Sequence, residues 1–522
     1  MNGKEPSGDC TMKPPATLLV SCPDRKGLVA RIADFIYANK TVIFDSERRV
    51  VGKRKLVLAG LLVLALAGRY YSQHVVVDLH LKGSYRLPEK NGWVFVHLAG
   101  PPDKIGFQHG YLLAEEIVEA QKVIALELKQ DTGKDWQFYR DVARKELWPH
   151  IEEEYRNELL GIVEGLNVRG FKIGLGDIVA LNAFPELSPG YIDWWKKQHR
   201  VDSGPQASTA DRCSAFVATG SYTRDGKPVI GHNNWTGYLE GQRWSVIFDI
   251  VPEKGQRILM DGFPGLIHSG DDFGINSAGI MITETTITRF SGWDPNGIPE
   301  FVRARKAMQY AGSIDEFARI MKEGNNGGYA NNWLVADRKT NEVASLELGL
   351  KNVNLRRTQD GYFCGANFPV NKKLATEETE FNLEDPSLSA NARRIRWEQL
   401  MAEYKGKIDV QIGQQMLADH TDSFEGKIEP NERTLCGHVD RSPRGDLPWA
   451  PPYAPSGAVQ AKLCDSAMAE KMLFLARMGH PCGIPFKASE HLQKHPEFSW
   501  QETFLKDMPL QSWTSFSMGS GK

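Results

Sequence analysis

The 522-residue sequence has almost no net charge, because 63 lysines and arginines oppose 65 aspartates and glutamates. Without a basic excess it lacks the electrostatic footprint of a nucleic-acid-binding protein, so no nucleic-acid partner is expected. It also lacks an apolar run of the about 20 residues that a membrane-spanning helix needs. Its length corresponds to roughly two to four domains of a globular protein.

Cysteine is scarce, and its spacing carries no recognisable motif. The seven cysteines are Cys10, Cys22, Cys213, Cys364, Cys436, Cys464 and Cys482. They show neither CxxC nor cysteine–histidine spacing, which predicts no zinc site and no dense disulfide framework. We therefore expect no metal and no other cofactor, while one or two disulfides remain compatible with an exported protein.

The first 75 residues differ from the rest of the chain. A basic cluster precedes the 13-residue apolar run Leu56–Gly68. That length suits a signal-peptide core of roughly 7 to 15 residues, and Ala65-Leu66-Ala67 supplies a small-x-small cleavage pattern. Residues 48–75 are thus predicted to direct export to the periplasm or the medium. The alternative is a short membrane anchor, which would leave the remaining chain outside the cytoplasm but attached to a membrane.

An apolar strand, a turn and an amphipathic helix precede this signal. The stretch "ATLLVSCPDRKGLVARIADFIYANK" resembles the start of the ACT domain of formyltetrahydrofolate deformylases over residues 16–45. An ACT unit needs further strands to bury its helix. Residues 1–47 are therefore predicted to be a truncated, non-functional segment.

The remaining chain divides into a helical part and a strand-rich part. Residues 76–212 show apolar positions at helical spacing, interrupted at Gly165 and Gly170. They end in a polar segment, 190–212, that is predicted to be an exposed linker. Residues 213–522 open with a strand pair around the turn Asp225-Gly226, a strong hairpin signal. Strands clustered apart from helices predict an α+β protein with antiparallel sheets covered by helices.

Cys213 opens the first strand directly after the linker. A cut after Arg212 would make this cysteine N-terminal. The thiolate is the reactive form of cysteine, and its free pKa near 8.5 requires a base at neutral pH. The new α-amine, with a pKa of about 7.7 to 8.0, can be that base, so no catalytic histidine is required.

Residues from about 90 to the end resemble the phospholipase B-like branch of the N-terminal nucleophile hydrolases. More distantly they resemble acyl-coenzyme A:isopenicillin N acyltransferase and the conjugated bile salt hydrolases. The matching stretches are "NELLGIVEG", "DRCSAF", "VIGHNNWTGY", "GFPGLIHSGDDFGINSAGIMITETTI", "NNWLVADRKTNEVASLELG", "CGANFPV", "ANARRIRW" and "GHPCGIPF". The resemblance implies an αββα sandwich of two antiparallel sheets and self-cleavage between Arg212 and Cys213. It also implies that residues 76–212 form a pro-segment or α chain and residues 213–522 the catalytic β chain.

The resemblance also implies roles for individual residues. Cys213 matches the nucleophile, and Asn367 matches an asparagine whose side-chain amide joins the oxyanion hole. Either His232 or Asn234 is expected to orient the nucleophile. One arginine of the 393–396 stretch, with Arg393 as first choice over Arg394 and Arg396, is expected near it. The positions matched to substrate contacts are Trp235, Glu284, Thr285, Thr286 and Asn332.

The activity implied is hydrolysis of an amide or ester acyl bond through an acyl-enzyme thioester. The substrate would be a small acyl compound, namely an N-acyl compound, a small peptide or a phospholipid-like molecule. An acyltransferase of the same fold is one alternative, and a catalytically dead ligand-binding protein is another. A homo-oligomer is compatible with the sequence.

Overall fold

The computed structural model describes residues 77, 79–201, 213–270, 273–446 and 450–518. The ACT-like segment, the Leu56–Gly68 run and Arg212 lie outside the described residues. The chain divides into two units, Met1–Leu79 and His80–Lys522, and the architecture below is that of the second. Among the described residues, every helix is too short or too polar to cross a bilayer.

Most strands belong to two sheets. The nine-stranded sheet contains, in spatial order, β1 (Tyr85–Arg86), β2 (Val94–Gly100), β5 (Val246–Pro252), β6 (Ile258–Gly262), β7 (Gly274–Asn276), β8 (Ile280–Thr286), β9 (Asn331–Asp337), β10 (Glu342–Leu348) and β11 (Val353–Thr358). The six-stranded sheet contains β12 (Gly361–Gly365), β3 (Ser214–Thr219), β4 (Val229–Gly237), β15 (Ser456–Asp465), β16 (Leu473–Met478) and β17 (Thr514–Ser517). A small ribbon pairs β13 (Thr421–Asp422) with β14 (Lys427–Ile428). Neighbouring strands are antiparallel except β2 and β5, which are parallel.

The α-helices are numbered along the chain. They are α1 (Pro102–Leu112), α2 (Ala114–Thr132), α3 (Trp136–Val142), α4 (Glu153–Val168), α5 (Leu175–Asn182), α6 (Phe184–Glu186), α7 (Ile192–His199), α8 (Tyr238–Gly241), α9 (Glu300–Tyr310), α10 (Ile314–Lys322), α11 (Lys372–Glu378), α12 (Ser389–Glu403), α13 (Val410–Leu417), α14 (Ser466–Glu470) and α15 (Ala488–Lys494). Several begin at a side chain that accepts a hydrogen bond from the first helical turn, as Ser313, Asn371 and Asp409 do. Such caps satisfy backbone N–H groups that have no partner within the helix.

The two sheets stack face to face and share a core. It contains Phe95 and Ile247 from the nine-stranded sheet and Val217, Ile230 and Phe474 from the six-stranded sheet. Burial of one such side chain contributes about 1.5–3 kcal/mol, so this interface is a principal source of stability.

Helices cover the outer face of each sheet. Alternate residues of the nine-stranded sheet pack under α1, α2, α4, α5, α9 and α10, while those of the six-stranded sheet pack under α12 and α13. Helix, sheet, sheet and helix thus form four layers. The αββα sandwich expected from the sequence is confirmed.

Strands β3 and β4 pair as predicted, but a tight turn does not join them. Ala215 pairs with His232 and Ala218 with Val229 in an antiparallel register. Residues 220–228 form the connection, where Gly226 has a φ of +76°. The backbone N–H of Gly220 donates to the Gly226 carbonyl at 3.2 Å within this loop, and the N–H of Arg224 donates to the Ile408 carbonyl of a remote segment at 3.0 Å.

Gly165 does not interrupt a helix, contrary to the sequence interpretation. Helix α4 runs through Gly161 and Gly165. A Cβ atom added at Gly161 would lie 2.2 Å from the carbonyl oxygen of Asp103 in α1. These glycines therefore let two helix backbones approach closely. The chain leaves α4 near Gly170, whose φ is +90°.

The segment interpreted as an exposed linker is partly helical. Ile192–His199 form α7, with Tyr191 and Ile192 buried against the outer helical layer. The Lys134 ammonium lies 3.9 Å from the ring centroid of Trp195 and fastens this helix to its neighbours. Residues 202–212 lie outside the described part of the chain.

Candidate active site

Cys213 immediately precedes β3 and is fully buried. Its backbone N–H donates to Oδ1 of Asn367 at 3.0 Å, and its carbonyl oxygen accepts from Nη1 of Arg393 at 2.8 Å. Side chains alternate along a strand, and Ala215 and Val217 belong to the core between the sheets. By this alternation the Cys213 side chain belongs to the same inner face.

Asn367 follows β12 and has a φ of +68°, a conformation that asparagine tolerates better than most residues. Its Nδ2 donates to the Thr286 carbonyl at 2.9 Å, and its own carbonyl accepts from the Thr288 N–H at 3.1 Å. The carboxamide thus joins the end of β8 to the start of β3. Its oxygen, and not its NH2 group, faces the nitrogen of Cys213.

Arg393 is buried beneath the outer face of the six-stranded sheet. Besides the Cys213 carbonyl, its guanidinium donates to Ser214 Oγ and Asn367 Oδ1, both at 3.2 Å, and its Nε donates to Ser389 Oγ at 3.1 Å. The guanidinium carbon lies 4.3 Å from the ring centroid of Trp235. Arg393 therefore binds the Cys213 carbonyl, the Ser214 hydroxyl and the Asn367 side chain together.

The two neighbouring arginines lie elsewhere. Arg394 is partly exposed and pairs with Glu398 at 3.2 Å, one turn along α12. Arg396 forms a two-point ion pair with Asp419, at 2.9 and 2.7 Å. Of the three arginines considered from the sequence, the structure places Arg393 at Cys213.

The pairing register of β3 and β4 shows which of the two candidates for orienting Cys213 lies nearer to it. Ser214 pairs with Asn233, so extending the register by one residue places Asn234 across from Cys213. His232 lies across from Ala215, fully buried, with its ring centroid 6.5 Å from that of Phe273. Both side chains share the inner face with Cys213, and Asn234 is the nearer along the register.

A buried ion pair joins the two sheets beside His232. Lys462 pairs with His232 across β15 and β4, and its Nζ lies 2.9 Å from Oδ2 of Asp261 in β6. Ser269 Oγ donates to the other oxygen of Asp261 at 2.9 Å. This pair is not apparent from the sequence, because a lysine and an aspartate in strands some 200 residues apart look like ordinary surface positions.

The residues expected to contact substrate occupy different faces. Glu284 shares the helix-facing side of β8 with Ile282, and its Oε2 accepts from Nδ2 of Asn331 at 3.0 Å. Thr286 contacts Tyr329 through its hydroxyl at 2.6 Å and reaches the site through the carbonyl that binds Asn367.

The other three expected contacts are likewise buried. Thr285 pairs with Asn332 across β8 and β9 on the inner face. Ser345 Oγ donates to Oδ1 of Asn332 at 2.7 Å. Trp235 lies on the opposite face of the six-stranded sheet, where its Nε1 donates to the Leu435 carbonyl at 3.1 Å. Thr285 and Asn332 thus face the same space as Cys213, whereas Trp235 and Glu284 do not.

A second group of reactive side chains was not foreseen. A cluster on the outer side of β4 consists of His420, Cys436, His438 and Cys482. One potential ligand atom of each lies within 4.8 Å of the others. Their separation along the sequence hides the cluster. The available signal was a pair of short tripeptides, Cys436-Gly437-His438 and His480-Pro481-Cys482, which together contain three of the four members.

The phospholipase B family model matches residues 146–372, a range that includes Cys213, His232 and Asn367. The chain is similar to the phospholipase B family. This is the resemblance expected from the sequence, and it is confirmed.

Individual phospholipase B-like relatives match over less than half of their lengths. Phospholipase B-like 1 of Bos taurus is 27% identical over 231 residues, which cover 39% of this chain and 39% of the relative. An uncharacterized protein of Archaeoglobus fulgidus is 24% identical over 269 residues, which cover 48% of this chain and 42% of the relative. Among solved structures, a variant of the conjugated bile acid hydrolase from Clostridium perfringens is 9% identical, with a TM-score of 0.28 over 60% of this chain and 88% of that one.

Proposed function

We propose that the chain is an N-terminal nucleophile hydrolase whose nucleophile is Cys213 and which cuts its own backbone after Arg212. The observation that carries the proposal is the position of Cys213 at the start of β3. Its nitrogen is bound to Asn367 at 3.0 Å and its carbonyl to Arg393 at 2.8 Å. Similarity to the phospholipase B family supports acyl-bond hydrolysis as the reaction class.

Self-cleavage would begin with attack of the Cys213 thiolate on the Arg212 carbonyl carbon. The peptide C–N bond breaks as its nitrogen takes up a proton, and the acyl group passes to sulfur as a thioester. Water then hydrolyses the thioester, leaving a carboxylate on Arg212 and an amine on Cys213. Because Asn367 Oδ1 accepts an N–H from this nitrogen as an amide, it can accept one from the amine without rearrangement.

Turnover would use the new amine as the base. The amine, with a pKa of about 7.7 to 8.0 in peptides, takes the thiol proton, and the thiolate attacks the acyl carbon of the substrate. The resulting ammonium returns the proton to the departing amine or alcohol as the thioester forms. Water hydrolyses the thioester and releases the carboxylic acid.

The substrate class is a small molecule with an amide or ester acyl bond. N-acyl compounds, small peptides and phospholipid-like esters share this bond, and the fold does not select among them. Export through the residue 48–75 segment would place the reaction outside the cytoplasm. Retention of Leu56–Gly68 as an anchor would keep the protein on a membrane.

Intact-mass analysis of the purified full chain tests the cleavage. We expect a fragment that begins at Cys213 in the wild type and in the control Cys464→Ser, whose thiol is buried elsewhere, and an uncut chain in Cys213→Ala. Cys213→Ser should cut slowly and lose nearly all turnover. A wild type that stays uncut and inactive would instead support the ligand-binding alternative.

Turnover on a panel of N-acyl amides, peptides and phospholipids identifies the bond. Addition of a competing amine separates hydrolysis from transfer, because an acyltransferase passes the acyl group to the amine in preference to water. Activity of Cys213→Ala equal to that of the wild type would exclude Cys213 as the nucleophile.

A further inference from the structure

Two cysteines and two histidines converge on the outer side of β4 from three separate segments. His420 follows α13, Cys436 and His438 lie in the loop between β14 and β15, and Cys482 follows β16. One ligand atom of each lies within 4.8 Å of all the others. Cys436 and His438 are fully buried, and the other two are partly buried.

The distances within the cluster match those around one small cation. Nε2 of His438 lies 3.4 Å from Sγ of Cys436 and 3.5 Å from Sγ of Cys482. A tetrahedral zinc ion with bonds of about 2.3 Å to sulfur and about 2.0–2.1 Å to nitrogen separates those ligand atoms by about 3.6 Å. Both nitrogen–sulfur distances are therefore close to the spacing that such an ion imposes.

The chemistry of the four donors favours the same ion. Two thiolates and two imidazoles in tetrahedral geometry are typical of zinc, whereas calcium and magnesium prefer oxygen ligands. The other ring nitrogen of His438, Nδ1, lies 3.7 Å from Oδ1 of Asp440. Tyr238 donates a hydrogen bond to that oxygen at 2.8 Å. A carboxylate behind a ligating histidine is the usual second partner in metal sites.

We propose that His420, Cys436, His438 and Cys482 bind a structural Zn²⁺ ion. Four protein ligands complete a tetrahedral shell and leave no position for water or substrate, which distinguishes a structural site from a catalytic one. The inference is independent of the hydrolase proposal, because no step of the proposed reaction uses any of the four ligands.

The ion would stabilise the loop that packs against Trp235 beneath the candidate active site. A Cβ atom added at Gly437, between two of the ligands, would lie 2.0 Å from the Trp235 ring, so the loop backbone rests directly on that ring. Trp235 in turn lies under the Arg393 guanidinium at 4.3 Å. Zinc would thus hold the 431–438 loop against the outer face of β4.

Metal content of the full chain tests the proposal. The protein, purified under reducing conditions, is incubated with Zn²⁺, separated from unbound ion and analysed by elemental and native mass spectrometry. We expect about one zinc per chain in the wild type and in the control Cys364→Ser, and at least a tenfold lower content in Cys436→Ser and Cys482→Ser. A wild type that retains no zinc would overturn the proposal.

The same thiols could instead form a disulfide in an oxidising compartment. A Cys436–Cys482 linked peptide in a non-reducing digest, with a chain lighter by two hydrogen atoms and no zinc, would also overturn the proposal. Cobalt loading of the wild type avoids dependence on the folding of variants. Tetrahedral Co²⁺ bound to thiolate gives strong visible bands and a sulfur-to-metal charge-transfer band that zinc abolishes, and the absence of these bands would count against the site.

The two proposals can fail separately. Zinc bound to a chain that does not cut itself would overturn the hydrolase and leave the metal site intact. A self-cleaving chain without zinc would do the reverse.

Discussion

The two faces of β4 carry different kinds of residue. The inner face presents His232 and Asn234 beside Cys213, in the space between the sheets. On the outer face, Asn233 and Trp235 both donate to the Leu435 carbonyl, at 2.9 and 3.1 Å, and so bind the loop that leads to the cysteine–histidine cluster. One strand therefore borders the candidate nucleophile on one side and the proposed zinc site on the other.

The inner face of β4 thus carries the residues near the candidate nucleophile, and the outer face carries residues that bind the supporting loops. The inner residues are placed by strand pairing alone, because alternation and register determine which side chains face Cys213. The outer residues depend on loops that come from distant parts of the chain. Arg393 belongs to both, since it contacts the Cys213 carbonyl and the Trp235 ring.

The largest effect is expected from the buried ion pair on the inner side. Lys462→Met leaves the Asp261 carboxylate buried without its cation and should lower the free energy of unfolding by about 3–5 kcal/mol. Urea titration measures the loss. The double variant Lys462→Met with Asp261→Leu should recover much of it, because no unpaired charge then remains buried. A single variant as stable as the wild type would show that the pair does not join the sheets energetically.

Arg393→Lys should destabilise the protein more than the same change at Arg394, which lies on the partly exposed side of the same helix. A lysine ammonium cannot reproduce a fork that binds four oxygens, so some of the buried acceptors lose their donor at about 1–3 kcal/mol each. We expect a loss of about 2–4 kcal/mol in unfolding free energy. The matched change Arg394→Lys, on the partly exposed side of the same helix, should stay within about 0.5 kcal/mol. Equal losses of unfolding free energy at the two positions would show that Arg393 does not join Cys213 to the outer side of β4.

The role of Asn367 on the inner face can be tested by measuring the turnover rate of its variants. Asn367→Ala should lower turnover by roughly a hundredfold if its amide donates to the oxyanion. Asn367→Asp keeps an oxygen for the Cys213 nitrogen but removes the N–H donors. If Asn367→Asp loses as much turnover as Asn367→Ala, the effect belongs to the N–H donors. A smaller loss would show that the oxygen that accepts from the Cys213 nitrogen matters more. An unchanged rate in Asn367→Ala would reduce Asn367 to a structural residue.

Trp235→Phe should have the smallest effect. The change removes the Nε1 hydrogen bond to Leu435 and keeps a ring under Arg393, so we expect a loss of about 1 kcal/mol in unfolding free energy with KM unchanged. Thermal unfolding and initial-rate kinetics together decide the point. A rise in KM without loss of stability would restore Trp235 to the substrate-contact role expected from the sequence.

Much of the fold follows from local pattern, but several site residues do not. The alternation of β3 and β4 and the helical spacing of α4 and α12 are visible in the sequence, and they predict these elements correctly. Gly165 misleads, because a glycine that admits a neighbouring helix backbone looks the same in sequence as one that ends a helix. The "DG" turn misleads for a similar reason, since the hydrogen bond of Arg224 to the remote Ile408 carbonyl is not visible in the local pattern.

By itself the sequence determined the layered fold, the strand that follows Cys213 and the resemblance to the phospholipase B family, because these depend on local periodicity and ordered short motifs. Tertiary structure alone decided which arginine reaches Cys213, that Lys462 and Asp261 join the sheets, and that four cysteine and histidine side chains meet. Arg393 and Cys213 lie 180 positions apart in the sequence. Contacts over such distances arise from how the sheets and loops pack, and no local pattern encodes them.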